Sequence, residues 1–330
     1  MFTKMKILVT GATGFIGSHL TEGLIRKGHK VKCLVRKTAD LKWIKNLPVE
    51  FVVGDFFDEK ALHSAVEDVE YIYHVAGVTA SKTAKGYYLG NQFATRNLLN
   101  AVKATSGLKR FVFVSSLTAV GPSLDGTPVN EETPYHPITS YGKSKMKAEL
   151  EVIRYKDKIP FTIVRPPALY GPRDTASFSF FKSVYNGIIP LVGFKQKFVN
   201  ILHSQDTVEG IILAGEKPEA LNNIYFIGSE KSYTWEEISN VTLKALNRKA
   251  IKIRVPETVT RLFAGAAGIV SLFKGKPDIL NWEKGRDMVA DAWTCDISKA
   301  KRDLGFRQNV SLEDGIKQTI EWYKEYGWLK

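Results

Sequence analysis

The sequence predicts an α/β protein: a doubly wound parallel sheet followed by a smaller, mostly helical domain. Three observations carry this. Short apolar runs alternate with longer amphipathic ones through the first half of the chain. A glycine-rich turn separates the first such pair. The alternation then loosens after Pro172. Strand–helix alternation implies parallel strands joined by crossover helices, and a parallel sheet must be covered on both faces.

The elements follow in order. Lys6–Thr10 reads as a buried strand, and Phe15 to Lys27 as a helix with Ile16, Leu20 and Leu24 on one face. Val31–Val35 and Glu50–Val53 are the next strands, Ala61–Val66 a helix, and Tyr71–Val75 a fourth strand. Gly90–Ala104 reads as a helix, Arg110–Val114 as a fifth strand, Ser140–Tyr155 as a helix and Phe161–Val164 as a sixth strand. Beyond Pro172, helices are predicted at Phe178–Tyr185, Asp206–Ala214, Thr234–Leu246, Glu257–Phe273 and Leu312–Tyr326. Strands are predicted at Lys197–His203 and Asn223–Ile227. The expected division is a dinucleotide-binding domain over 1–172 and a substrate-binding cap over 173–330, with segments near 197–228 returning to the sheet.

Composition narrows the function classes. With 330 residues, 44% hydrophobic and 25% charged, the chain has material for a large core. Its two cysteines, Cys33 and Cys295, have no metal-ligand spacing around them, so neither a metal site nor a disulfide framework is expected. That usage, and the early break of the first apolar run at Thr10–Gly11, point to a reducing, cytoplasmic setting without a signal peptide. The longest apolar stretch, Leu262–Phe273, is shorter than the roughly 20 residues needed to span a bilayer. The net charge of +13 is spread along the chain, with no basic block interleaved with aromatics, so a nucleic-acid partner is not expected.

The turn Gly11-Ala-Thr13-Gly14-Phe15-Ile16-Gly17 follows a strand and opens a helix. Gly11 suits a sharp turn, Gly14 a close approach to a pyrophosphate, and Gly17 tight helix–strand packing. The helix N-terminus then offers free N–H groups to phosphates. At the end of the second strand stand Arg36 and Lys37, where an acidic residue would accept the ribose 2′-hydroxyl of NAD. Arginine pairs instead with a 2′-phosphate, so NADP is expected ahead of NAD.

Tyr141 and Lys145 stand four apart on a predicted helix, hence on one face. A free phenol titrates near pH 10, and a neighbouring ammonium would favour the phenolate. A hydroxyl at the end of the fifth strand would hold the substrate oxygen; Ser115 and Ser116 are the candidates. The pair alone is common on solvated helices, but here it follows a dinucleotide loop and a serine-ended strand in the expected order.

On these residues the sequence resembles the extended short-chain dehydrogenase/reductases of the epimerase/dehydratase-like branch, with a Rossmann-type domain, over essentially the whole chain. Gly11–Gly17 matches the GxxGxxG loop, Asp55 an acidic residue near the adenine, and His74-Val-Ala-Gly77 a segment lining the cofactor. Asn91, Thr95 and Asn97 match NxxxTxN. Ser116 matches the active-site hydroxyl ahead of its neighbour Ser115, and Tyr141 with Lys145 matches YxxxK. Arg165-Pro-Pro-Ala168-Leu-Tyr-Gly-Pro-Arg173 matches RPxxxYGPR; Asp206 and Ala300–Phe306 are also typical. The resemblance implies Ser116, Tyr141 and Lys145 as the catalytic set. Implied cofactor contacts run over Gly11, Thr13, Gly14, Phe15, Ile16 and Gly17, then Arg36, Asp55, Phe56, Val75, Ala76, Gly77 and Asn91. Tyr141, Lys145, Pro166, Ala168 and Arg173 complete them.

The chain departs from the nucleotide-sugar pattern at two positions. Ala168 stands where many sugar-nucleotide epimerases carry asparagine, and Val199 where they carry an arginine; Arg173 and Lys197 are the available substitutes. Phe178, Phe180, Phe181, Val192 and Phe194, and later Leu262, Phe263, Ile269 and Leu272, supply apolar side chains for either a cap core or a greasy pocket. Such a pocket resembles those of the 3β-hydroxysteroid dehydrogenase and dihydroflavonol reductase-like branches. The expected activity is therefore interconversion of a secondary alcohol and a ketone on a sterol-like or flavonoid-like small molecule. A nucleotide-sugar epimerase or dehydratase with tightly held NAD is the alternative, and a non-catalytic redox-sensing binder a third reading. Thr258–Phe273, with Arg261, Lys274 and Lys276, suggests weak contact with an anionic membrane surface. The resemblance implies a homodimer through the Asn91–Val102 and Ser140–Ile153 helices. His74, His203 and the C-terminal tryptophans Trp282, Trp293, Trp322 and Trp328 are expected to be structural.

Overall fold

In a computed structural model, which describes residues 4–262 and 282–329, seven parallel strands form the central sheet. β1 (Lys6–Thr10), β2 (Lys30–Val35), β3 (Val49–Val53), β4 (Tyr71–His74), β5 (Arg110–Val114) and β6 (Phe161–Arg165) match the six strands expected of the first half. β11 (Asn223–Phe226) returns from the second half and pairs with β6. The order is β11-β6-β5-β4-β1-β2-β3. The chain therefore winds outward in both directions from β1 and β4, and the crevice beyond their C-terminal ends is where such sheets bind ligands.

Both faces are covered. α1 (Phe15–Arg26) and α7 (Ser204–Glu216) cover one face, and their side chains join Ile7, Val9, Val112 and Val164 in one core. α2 (Glu59–Val66), α4 (Ala94–Val102) and α5 (Ser140–Arg154) cover the other, around Leu8, Ile72, Phe111 and Ile163. α4 does not begin at Gly90 as the periodicity suggests. A short helix, α3 (Ala84–Tyr88), runs through a π-helical turn at Leu89–Phe93 into it. That extra residue per turn carries Asn91, whose amide is tied to Val78 and Ser144.

The second half builds a separate core. α6 (Phe178–Tyr185), α8 (Trp235–Leu246) and α11 (Leu312–Glu325) pack around Phe181, Ile238, Ile316 and Tyr323. Small sheets complete it: β7 (Ala168–Tyr170) with β10 (Ile201–His203), and β8 (Ile188–Val192) with β13 (Ile251–Val255). β9 (Phe198–Val199) lies between β12 (Tyr233–Thr234) and β14 (Ala292–Trp293). The expected strand over Lys197–His203 is thus two short strands in different sheets. α9 (Trp282–Val289) and α10 (Ser298–Leu304) follow. Asp206 binds this half to the rest, accepting from the backbone N–H groups of Asn309 and Val310, both at 3.0 Å. Phe263, Ile269, Leu272, Lys274, Lys276 and the Trp282 side chain lie outside the described residues. Among the described residues, no helix is long and apolar enough to cross a membrane, and no cluster of side chains suits a metal ion.

His74 is structural, as expected. Its ring is fully buried between Thr10 Oγ1 at 2.7 Å and Thr95 Oγ1 at 2.9 Å. Burial pushes its pKa down to about 3, and burial brings His203 to about 4. Both must be neutral in the fold, whereas the unfolded chain protonates them near 6.5. Between those values the unfolded state binds more protons, so stability falls as pH falls, by up to about 1.4 kcal/mol per unit for each histidine. Melting temperature should therefore drop steadily from pH 6.5 to 4, and His74→Gln should flatten the slope. An unchanged slope in that variant would remove His74 from the account.

Candidate active site

The site sits at the C-terminal ends of β1, β4 and β5. Gly11 (φ +77°) turns the chain immediately after β1, and a Cβ there would lie 2.6 Å from Ala76 N. The loop after β4, Val75–Gly77, therefore lies against the glycine turn. A Cβ on Gly17 would lie 2.0 Å from Gly11 O, so helix and turn meet with no room for a side chain. Gly14 is the N-cap of α1 and supplies no capping side chain. The amides of the first turn, at Phe15 and Ile16, are left for an external acceptor. This cradle fits the pyrophosphate of a nicotinamide dinucleotide. Arg36 and Asp55 stand exposed just past the ends of β2 and β3, whose register sets Val35 against Val53. Asp55 Oδ1 accepts from Phe57 N at 2.7 Å, and Phe56 lies edge-on to His74.

Ser116 caps a short 3₁₀ turn after β5. Its hydroxyl accepts from Thr118 N and Thr118 Oγ1 and lies close enough to the Tyr141 phenol to favour its ionised form. Ser115 Oγ is buried without a hydrogen-bond partner, whereas Ser116 Oγ lies beside the Tyr141 phenol. α5 reaches this turn because residue 142 is glycine. A Cβ there would meet Thr118 O at 2.3 Å. Thr139 caps α5 through Gly142 N, and Glu283 of α9 accepts from both Ser140 N and Ser140 Oγ.

Tyr141 and Lys145 share a face, but not the expected interaction. Lys145 Nζ donates to Val114 O at 2.7 Å and lies over the Phe113 ring at 4.3 Å. Burial pushes the Tyr141 pKa up to about 12, and the Ser116 hydroxyl is what opposes it. The Lys145 ammonium points at the Val114 carbonyl and the Phe113 ring rather than at the phenol. Burial brings the Lys145 ammonium down to about 7, opposed by Glu149.

Other expected cofactor residues fall into three groups. Val75, Ala76, Gly77 and the exposed Ala168 border the crevice, while Pro166 is buried and receives Leu117 N on its carbonyl. Asn91 spends its amide on Val78 and Ser144, and Ser144 Oγ donates to Tyr141 O, so it ties the β4 loop to α5. Arg173 turns away from the Tyr141 end. Its positive φ (+73°) directs the guanidinium onto α1, where it bonds Ser18 Oγ at 3.1 Å and Glu22 at 2.7 Å and covers Trp43.

Neither proposed substitute grip for a sugar diphosphate is free. Arg173 is held by Glu22, and buried Lys197 donates to Glu257, Asp291 and Val289 O within 2.9 Å. Val199 is buried in the second core. Phe178, Phe180 and Phe181 also belong there, against Tyr323, Trp328 and Trp235, rather than to a pocket. A cleft of about 910 Å³ does open beside α5, between Pro137–Ile138, Phe194 and Val289–Ala290. Lys143, Lys195, Arg261 and Arg286 lie around it.

Sequence reasoning missed four further contributors. Glu149, one turn beyond Lys145, is fully buried and receives Arg165 Nη2 at 2.7 Å and Nε at 3.1 Å. Tyr135 closes the triangle, bonding both. The signal was present as a third member of the Tyr141/Lys145 stripe. The carboxylates of α9, Glu283 at the α5 N-terminus and Asp287 near Tyr141, had no such signal.

The model of the NAD dependent epimerase/dehydratase family matches residues 7–228. The chain belongs to that family. It is an NAD(P)-dependent enzyme of the extended short-chain dehydrogenase/reductase type. It is 29% identical over 325 residues to a ceramide reductase of Caulobacter vibrioides, covering 98% of this chain and 96% of that one. It is equally 29% identical, over 326 residues, to a UDP-glucose 4-epimerase of Vibrio cholerae, covering 96% and 94%. The solved structure of gox2253 is similar at a TM-score of 0.83 and 28% identity, covering 99% of this chain and 100% of that one. The family thus contains both reductases and epimerases at the same distance.

Breaking a buried ion pair costs about 3–5 kcal/mol, because the remaining charge is stranded. Arg165→Leu and Glu149→Leu should each lose stability on that scale in urea unfolding, whereas the double variant should recover most of it. Equal, additive losses would show that the pair does not act as a unit.

Proposed function

We propose that the chain is an NADP-linked oxidoreductase that interconverts a ketone and a secondary alcohol on an apolar, lipid-like small molecule, sterol-like or flavonoid-like in its bulk. The observation that carries this over the epimerase reading is the state of the sugar-diphosphate grips. Ala168 offers a methyl group, Val199 is in a core, and Lys197 and Arg173 are held by carboxylates. The ceramide reductase relative supports a lipid-like substrate. Arg36 at the end of β2 supports NADP ahead of NAD.

When bound, the nicotinamide supplies or accepts the hydride. The remaining work belongs to the chain. Ser116 Oγ and the Tyr141 phenol converge and so can hold the same substrate oxygen. At neutral pH a phenol brought up to about 12 is protonated, so the site is stocked with an acid suited to ketone reduction. In ketone reduction the carbonyl oxygen would take that proton from Tyr141. Lys145 would hold the nicotinamide ribose, a role supported by its position near Gly77 and Val114. The same stripe of α5 thereby positions both partners.

A second reading is favoured by one observation: Lys143, Lys195 and Arg286 around the cleft suit a nucleotide sugar. In that case the hydride returns to the same molecule and the cofactor is not consumed. A homodimer through α4 and α5 is also proposed, with Leu150 exposed on the outer side of α5. Light scattering should give twice the mass of one chain, and a Leu150→Glu variant should shift it towards the monomer; a single-chain mass for the parent would refute it.

Tyr141→Phe should lower turnover by about 10³-fold, within the range of a lost general acid, while leaving the NADP dissociation constant nearly unchanged. Full activity in that variant would reject the mechanism. The same titration should favour NADP over NAD, and Arg36→Asp should reverse the preference. Stoichiometric NAD(H) retained through purification, with no net oxidation of added cofactor, would favour the epimerase instead.

A further inference from the structure

We infer that the two-stranded ribbon β8/β13 is a docking face for the surface of an anionic phospholipid bilayer. The inference stands apart from the identity of the substrate, because it concerns a surface outside the catalytic crevice.

The register of the ribbon sets its two faces. Ile188 pairs with Ile251 and Pro190 with Ile253, and paired residues of a sheet share a face. The alternate residues Ile189 and Leu191 are buried in the second core. The opposite face therefore points outward as a continuous apolar strip, with Ile251 72% exposed and Ile188 and Ile253 each 45%. Isolated exposed apolar residues are ordinary, but a strip built by strand register is a contact surface in waiting. The strip is continuous with the cleft. The two strands run directly into Gly193–Phe194 and Pro256–Glu257, which line its mouth, and Phe194 is 73% exposed.

The charge around the strip supplies the partner's sign. Residues 182–195 and 248–261 together contain seven lysines and arginines against one carboxylate, Glu257, which is bonded to Lys197. Glu236 of α8 meets Lys252 and Arg254, and Asp291 lies near Lys195 while bonded to Lys197, leaving a cationic excess that includes Lys249 and Arg261. An isoleucine face with cations at its ends, Lys249 before β13 and Lys195 and Arg261 beyond the two strands, matches an anionic headgroup layer above acyl chains. A nucleic acid would answer the cations but not the isoleucines. A second copy of the ribbon would answer the isoleucines but repel the cations. With the ribbon on the bilayer, the cleft mouth meets the phase in which an apolar substrate resides.

The test is sedimentation of the full chain with phosphatidylcholine vesicles, with and without phosphatidylglycerol. Binding is expected only with the anionic lipid, and an Ile253→Trp variant should shift its emission to the blue as the side chain enters the bilayer. Ile251→Glu with Ile253→Glu should weaken binding by about tenfold or more, as should Lys249→Glu with Lys195→Glu. Because Ile251 is exposed, the melting temperatures should match the parent and exclude misfolding. Three outcomes overturn the proposal. One is no binding to anionic vesicles. Another is equal binding to a short DNA duplex that the isoleucine variants leave intact. The third is self-association of the parent that those variants abolish.

Discussion

The active site depends on one buried ion pair. Arg165 is the last residue of β6, and Glu149 is on α5; both side chains are almost fully withdrawn from water. Two charges at that depth are tolerable only if paired and hydrogen-bonded, and Tyr135 completes the set by donating to Glu149 and accepting from Arg165. The pair fixes the rotation of α5 about its axis. Tyr141, Lys145 and Glu149 are spaced by four, so seating Glu149 on β6 aims Lys145 at Val114 and Tyr141 at Ser116, on the adjacent β5 end. A slip by one residue would swing the stripe by about 100° and strand the carboxylate. The geometry is thus enforced by an electrostatic penalty rather than by apolar packing, which tolerates neighbouring registers more easily.

That pair also shapes the titration of the site. Lys145 is buried with no carboxylate in contact, and its ammonium would be lowered further were Glu149 not one turn away. Tyr141 experiences the opposite balance: burial and the nearby Asp287 both disfavour the phenolate, and only the Ser116 hydroxyl opposes them. The proton therefore resides on the tyrosine and is shared poorly with the lysine. The phenol is thus kept protonated by burial, while the lysine is anchored to the Val114 carbonyl at the end of β5.

The sheet was legible because its physics is periodic. β5 and β6 are covered on both faces and read as largely apolar runs, interrupted by Thr162 and flanked by Arg110 and Arg165, and α1 shows its stripe of Ile16, Leu20 and Leu24 directly. The glycine loop, Ser116, Tyr141 and Lys145 were legible by their order along the chain. Directions were not. The sequence could place Arg173 in a loop, but not show that a positive φ turns it onto Glu22. Phe178, Phe180 and Phe181 looked equally suited to a pocket and a core, and packing against α11 decided for the core. The cap strands were missed for another reason. β9, β12 and β14 have two residues each, too few for an alternation, and β13 finds β8 only across some sixty positions of chain.

The cap is not merely a lid placed over this site, because its late segments bond to the catalytic helix itself. α9 presents Glu283 and Asp287, four apart and so on one face, towards the start of α5. Glu283 accepts from Ser140 N and Oγ, satisfying a free amide of the first turn and complementing the positive end of the helix. Asp287 places negative charge near Tyr141, and Trp293 donates its indole N–H to the carbonyl of Asp287, linking α9 to β14. Any shift of α9 therefore changes both the cap on α5 and the field at the phenol. Val289 and Ala290, at the end of this same helix, line the cleft. The wall of the cleft and the field at the phenol are thus linked through a single short element.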